Sequence, residues 1–372
     1  MARRPLLTAR TAAPWLALGA LPLVGRGWQN GDAAAYCAQA WSGDLTDRWT
    51  HVGYVFGAWL LSPLGPGLPL ALDMVGVAAA VVAAAAAARL AGDRPVAAVA
   101  AVAALLPIAP FLEVDPVWIA LVVASAAGMP GAMALAVAVS PTALLALPWV
   151  GGTRGRGPWG EAVVAIAVLT VVSSGAWWMG ERGVLVAPPP RPVRMLWACL
   201  AGVSWPLLIA ALARRRDARS LVLLAPLVLA PPDVPVWALA GVACGVVLGR
   251  APAHAAVPWL VAVALVLGGA RAVHRAGVVA AEHAVVTQVV ASWRVGDGME
   301  APFTWGARVS VAATGHPYGL PWHPPGGWLR DQRRQWCVSP PTRVVHLPPA
   351  SAGVRWDSPR IGQRQCPAPA ER

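Results

Sequence analysis

The residues able to do chemistry crowd into one stretch, Gly31 to Tyr54, which reads GDAAAYCAQAWSGDLTDRWTHVGY between two apolar segments. An acid beside a bilayer boundary is costly to keep without water, a partner or a task, which puts Asp32 at the centre. A carboxylate in that place can take the proton of an attacking hydroxyl. It equally suits the N-cap of a helix running from Ala33 to Ala40, and the two uses are compatible. Arg48 and His51 offer donors to phosphate oxygens, the guanidinium as a fixed fork. Their plain structural uses are snorkelling at the interface for Arg48 and helix capping for His51. A second constellation, Glu113 and Asp115 in FLEVDP, sets two hard oxygen donors two residues apart, a pattern able to hold a divalent cation such as Mg or Mn. The same acids ahead of Pro116 also suit the start of a helix, where the dipole favours negative charge.

These residues must be positioned by a chain of 372 residues that is 57% hydrophobic and only 12% charged, with a mean hydropathy of +0.58. Soluble domains carry about 25% charged residues, so the composition describes a polytopic membrane protein. The net charge is +12 and the chain contains no lysine, so every fixed positive charge is an arginine. A coding bias toward Ala, Val, Gly, Pro and Arg explains that excess more simply than anion binding. The charge therefore informs topology. Basic and aromatic residues do not interleave as a nucleic-acid groove requires, so no nucleic-acid partner is expected. Of the five cysteines, Cys199 and Cys244 lie in apolar runs and read as core. Cys37 lies in the first loop, while Cys337 and Cys366 lie in a polar Pro-rich tail and suit a disulfide if that tail faces an oxidising compartment.

In chain order, Ala12 to Gly27 with Arg3, Arg4 and Arg10 before it reads as a retained signal anchor with a cytoplasmic N-terminus. The first loop, residues 28–51, then faces outward, and Ala35, Ala38, Trp41 and Leu45 recur at the spacing of an amphipathic helix lying on the membrane. Val52 to Ser62 and Leu68 to Leu90, separated by SPLGPGLP, read as one broken crossing. That choice keeps Arg89, Asp93 and Arg94 inside and makes Val96 to Pro110 an outward crossing, so Glu113 and Asp115 arrive on the outer face with Asp32. Two short crossings fit between Val117 and Val150, after which GGTRGRG falls inside. Glu161 to Met179 goes out, Met195 to Ala213 returns to RRRDAR, and Leu221 to Ala230, Val236 to Leu248 and Val257 to Gly269 add three more. The expected architecture is an all-α bundle of roughly ten to twelve transmembrane helices. It comprises a membrane domain, residues 1–270, and an outer-face part, residues 271–372. The latter opens with a juxtamembrane helix carrying His274, Arg275, Glu282, His283 and Gln288 on one side and continues as an irregular tail rich in Pro, Gly and Trp. Asp73 interrupts an apolar run, as a functional acid or as the mark of a misplaced boundary.

An outward first loop bearing GDxxxY, then RxxHxGY entering a helix, then Glu-x-Asp in a later outer loop resembles the GT-C superfamily of integral membrane glycosyltransferases. Its members include protein O-mannosyltransferases, aminoarabinose lipid A transferases and oligosaccharyltransferases. The resemblance spans mainly the first 150 residues. It implies a multi-helix bundle in a bacterial inner membrane that uses a polyprenyl-phosphate-linked sugar and an acceptor of unspecified kind on the outer face. The catalytic acid of the first loop maps to Asp32, the second acidic motif to Glu113 and Asp115, and the HxGY segment to His51, Gly53 and Tyr54. Tyr36 and Arg48 fall in the same substrate-binding stretch. In the tail, His316, His323 and Arg330 stand among aromatic residues that stack on sugars, as an acceptor or donor lid or simply as a folded, charged surface. Two rival functions remain open. A transporter needs polar residues deep in several helices, and the chain offers few beyond Asp73, Ser173, Ser174 and Asp233. An inactive scaffold would keep the bundle and separate the acids.

Overall fold

A computed structural model of the chain describes residues 36–37, 40–41, 51–111, 114–172, 205–212, 234–250, 256–300, 303–314, 320, 322–323, 342–346 and 355–357. They fall into two compact units. One holds residues 51–57 and 70–276, and the other holds the described residues between 36 and 41, residues 58–69 and those from 277 onward.

The described residues up to Ser292 are helical apart from short turns. Helix α1, Val52–Leu60, is separated from α2, Leu68–Leu90, by a 3-10 segment, Ser62–Gly67. Gly65 breaks the path there at φ 54°, a conformation that side chains with a Cβ disfavour. With 23 residues, α2 is about 35 Å long, enough to cross a hydrocarbon layer of about 30 Å. It ends on Gly92 and Asp93, both at positive φ, where the Asp93 N–H closes back on the Ala88 carbonyl at 2.8 Å. Helix α3, Pro95–Leu105, starts on a proline whose missing N–H costs nothing at that position.

A 3-10 segment, Leu106–Phe111, leads to α4, Val114–Ala126. Then follow α5, Ala132–Val139, a 3-10 segment, Pro141–Ala146, α6, Leu147–Arg154, and α7, Gly157–Val172. Helices α8, Trp205–Leu212, α9, Val234–Arg250, and α10, Ala256–Ser292, follow, with α10 belonging to the first unit up to Ala276. Among the described residues, α2 and α10 are long and apolar enough to cross a membrane, and α3, α4, α7 and α9 are shorter apolar helices.

Small residues set the spacing between helices. A Cβ on Gly245 would lie 2.8 Å from Ala100 Cβ, and one on Gly249 would lie 2.9 Å from Ala97 Cβ, so α9 runs antiparallel to α3 at close range. Close approach of backbones through Gly and Ala is how helices associate where lipid removes the hydrophobic drive. Outward, α7 exposes Val163, Val164, Val168 and Val171, and α10 exposes Trp259 and Val266, a surface suited to acyl chains. Arginines gather at helix ends. Arg250 donates its Nε–H to the Leu90 carbonyl at 2.9 Å, bringing it to the end of α2 that carries Arg89. Arg154 donates to the carbonyls of Ser125 and Met129 and pairs with Glu161, while Glu161 accepts the Met133 N–H at the start of α5.

The second unit surrounds a four-stranded sheet in the order β2, β1, β3, β4: β1 is Asp297–Glu300, β2 Trp322–His323, β3 Arg343–His346 and β4 Arg355–Asp357. β1 runs parallel to β2 and to β3, and β3 is antiparallel to β4. Val286 and Val289 of α10, Met299, Val345 and Val309 of α11, Phe303–Thr314, form its core. Polar pins surround that core. Arg308 pairs with Glu282 at 2.7 Å, the Leu320 N–H reaches Ser310 Oγ at 2.9 Å, and Asp297 accepts from Arg343 Nε at 3.0 Å and from the Arg294 N–H at 2.7 Å. The segment read as irregular thus carries a sheet. Its strands of two to four residues are too short for alternation to reveal, so pairing across distant segments, not local pattern, defines them.

Candidate functional site

The HxGY segment opens α1 and docks it onto α5. His51 donates its Nδ1 proton to the Val139 carbonyl at 2.8 Å. Val139 is the last residue of α5, whose terminal carbonyls have no partner within the helix, so an imidazole there caps the helix and complements its dipole. Two residues on, Gly53 makes the approach possible: a Cβ would stand 2.9 Å from the carbonyl carbon and oxygen of Ala138. Tyr54 is buried at 6% exposure. His51 and Gly53 therefore share one structural task, the docking of α1 on α5.

Asp115 lies in the first turn of α4, as expected for an acid at a helix start. Its Oδ1 accepts the indole N–H of Trp118 at 2.9 Å, and Trp118 is fully buried. The sequence reading missed Trp118. Its signal was the spacing Asp-Pro-x-Trp, one helical turn, which lets an acid satisfy a buried indole. Because α4 and α5 pack against each other across the short turn 127–131, the start of α4 and the end of α5 lie at the same end of that hairpin. Asp115 and the His51 dock consequently share one end of the bundle, and Arg154, bound to the Ser125 and Met129 carbonyls, marks the other.

The remaining candidates are placed unevenly. Tyr36 is buried at 4% exposure, together with Cys37 and Ala40, so the buried side of this helical turn is 36, 37 and 40. The stripe of Ala35, Ala38, Trp41 and Leu45 is described only at Trp41, which is partly buried. His323 is placed by its backbone in β2. Asp32, Arg48, Glu113, His316 and Arg330 lie outside the described residues, as do Cys337 and Cys366. Among the described residues no group of three His, Cys, Asp or Glu side chains is set to hold a metal. Asp73 is partly buried and stands about 8 Å along α2 from Leu68, nearer a helix end than mid-membrane.

The helices compose a bundle of the polytopic membrane type, and its fold is shared with solved structures. Two such structures are of ArnT from Cupriavidus metallidurans, one bound to undecaprenyl phosphate and one in the apo state. The first is 14% identical, with a TM-score of 0.53 over 91% of this chain and 92% of that chain. The second is 15% identical, with the same TM-score and coverage. At that identity the likeness is one of fold. The sequence matches no family model and no curated protein.

Proposed function

We propose that this chain is a membrane glycosyltransferase that moves a sugar from a polyprenyl-phosphate carrier to an acceptor hydroxyl at the outer face of a bacterial inner membrane. Asp32 acts as the general base. As the acceptor oxygen bonds to the anomeric carbon of the sugar, its proton passes to Asp32 and the bond from that carbon to the phosphate oxygen breaks. The polyprenyl phosphate leaves with the electron pair, and Arg48 offsets its growing charge. Tyr36, Tyr54 and the tail residues His316, His323 and Arg330 belong to the substrate surface in this reading, and the chain from about residue 271 faces outward. Asp115 holds the second loop through Trp118, and Glu113 lies two residues before it. A divalent cation, Mg or Mn, would bind at that pair, and no step above runs through it.

One observation carries the reading. The loop that brings Asp32 enters α1 at His51, and His51 is docked at the end of the α4–α5 hairpin where Asp115 begins. The ArnT structure with undecaprenyl phosphate adds that this fold accommodates a lipid phosphate of the class released in such a transfer. Asp32→Asn should abolish transfer of label from a panel of radiolabelled polyprenyl-phosphate sugars into membrane extract while the protein remains folded in detergent. Turnover equal to wild type would remove Asp32 from the mechanism.

A further inference from the structure

One corner of the first unit gathers basic residues from three helices. Arg89 lies in the last turn of α2, Arg94 immediately precedes α3, and Arg250 ends α9. All three are exposed. They meet at one place: the Arg250 Nε–H is held on the carbonyl of Leu90, next to Arg89, and a Cβ on Gly249 would lie 3.6 Å from Arg94 Cβ. Arg250 makes no further side-chain bond to a described residue, which leaves its two Nη groups for a ligand. The C-terminal dipoles of α2 and α9 favour a cation and account for Arg89 and Arg250 one by one. They do not account for Arg94, which stands at the positive end of α3. Among the described residues no carboxylate forms an ion pair with any of the three, although the same unit pairs Arg154 with Glu161 at another helix end. Asp93 is the one acid in the turn between α2 and α3, so three cations stand against one carboxylate.

We propose that this corner binds the headgroup of an anionic phospholipid through its phosphodiester. Guanidinium groups offer paired N–H donors that match phosphate oxygens, and arginine keeps its charge at any pH a membrane meets. The ligand is a lipid and not a dissolved phosphate because α2 is long enough to cross the hydrocarbon layer and ends here, which sets the corner at the depth of lipid phosphates. A zwitterionic headgroup brings its own ammonium to the phosphate, whereas the excess of arginine over acid calls for net negative charge, as in phosphatidylglycerol. Orientation of a membrane protein by loop charge needs arginines on one side and no meeting of them. The joining of three helix ends, with Arg250 fixed through its Nε, is the added feature that a site requires. The site is independent of the transferase reading and of the acids at Asp32, Glu113 and Asp115.

The test uses the purified full-length chain, delipidated in a neutral detergent and titrated with phosphatidylglycerol or phosphatidylcholine while native mass spectrometry counts the lipids retained. Phosphatidylglycerol should be retained in preference to phosphatidylcholine, and added inorganic phosphate should not displace it. Arg89→Gln, Arg94→Gln and Arg250→Gln should each weaken its binding by about fivefold. Arg94→Gln leaves the bond between Arg250 and Leu90 in place, and circular dichroism confirms that each variant is folded. Arg156→Gln, at an exposed position outside the corner, should bind as the wild type does. Equal retention of the two lipids, displacement by inorganic phosphate, or an equal loss in Arg156→Gln would overturn the proposal.

Discussion

Two glycines one turn apart in α1 should respond to the same substitution with opposite signs. At Gly53 an added Cβ meets the carbonyl carbon and oxygen of Ala138 at 2.9 Å and Ala138 Cβ at 3.0 Å, whereas at Gly57 nothing lies within 4 Å. Ordinary contact begins near 3.4 Å, so α1 must retreat from α5 by about half an ångström to admit Gly53→Ala, and the obstacle is backbone, which cannot rotate aside. Overpacking of this kind costs about 1 to 3 kcal/mol. Replacing a helical glycine by alanine gains up to about 1 kcal/mol of helix propensity, and that gain is common to both sites. It cancels in the comparison, so Gly53→Ala should be less stable than Gly57→Ala by about 1 to 3 kcal/mol, with Gly57→Ala at or above wild type. Retreat of α1 also lengthens the His51 to Val139 bond, so the loss adds to that of a weakened cap. Unfolding of the detergent-solubilised variants, followed by tryptophan fluorescence against denaturant, measures the difference. Equal stability of the two variants would refute the docking of α1 on α5 as described.

Other expectations follow from single contacts. Asp115→Ala strands the buried indole N–H of Trp118 and should cost about 1 to 3 kcal/mol, while Asp115→Asn keeps an acceptor and should cost less. If both variants unfold as the wild type does, the contact contributes nothing. For Asp297, burial alone would raise the pKa, but hydrogen bonds from Arg343 and the Arg294 N–H, with their positive charge, outweigh it and hold the carboxyl below its usual range. A depressed folded-state value means that stability is present above the unfolded pKa of about 4 and is lost as pH falls through the folded value. Between neutral pH and about pH 3, wild type should therefore lose more stability than Asp297→Asn, and parallel pH profiles would contradict the assignment.

The bundle was legible because it rests on composition and charge. Long apolar runs and arginines at their ends follow from what lipid tolerates, and α2, α3, α9 and α10 formed near where those signals placed them. Motif spacing likewise pointed to the GT-C fold. What the motifs could not disclose is the use each residue is put to. His51 meets a carbonyl 88 residues away, and no local pattern marks Val139 as its partner. Trp118 was hidden by the habit of reading an acid before proline as a helix start and looking no further. The sheet escaped for a different reason: its strands are shorter than the period needed to detect them, and Pro and Gly surround them. Tyr36 was read as substrate-binding through the GDxxxY resemblance, and its burial shows that it contributes to packing.

The geometry at His51 bears on how such a site is built in a membrane. Irregular polar backbone cannot be exposed to the hydrocarbon layer, so acids that must meet a lipid-borne substrate have to be carried on loops at helix ends. Loops alone do not hold a side chain within the fraction of an ångström that proton transfer requires. A helix entering from the first loop must then be fixed against the helix pair that carries the second. Gly53 lets α1 come close to the end of α5, and His51 makes the Val139 carbonyl there a point of attachment. The Nδ1 proton held by the Val139 carbonyl fixes the ring at that helix end. In the HxGY segment, His51 and Gly53 therefore form the joint between α1 and the end of α5.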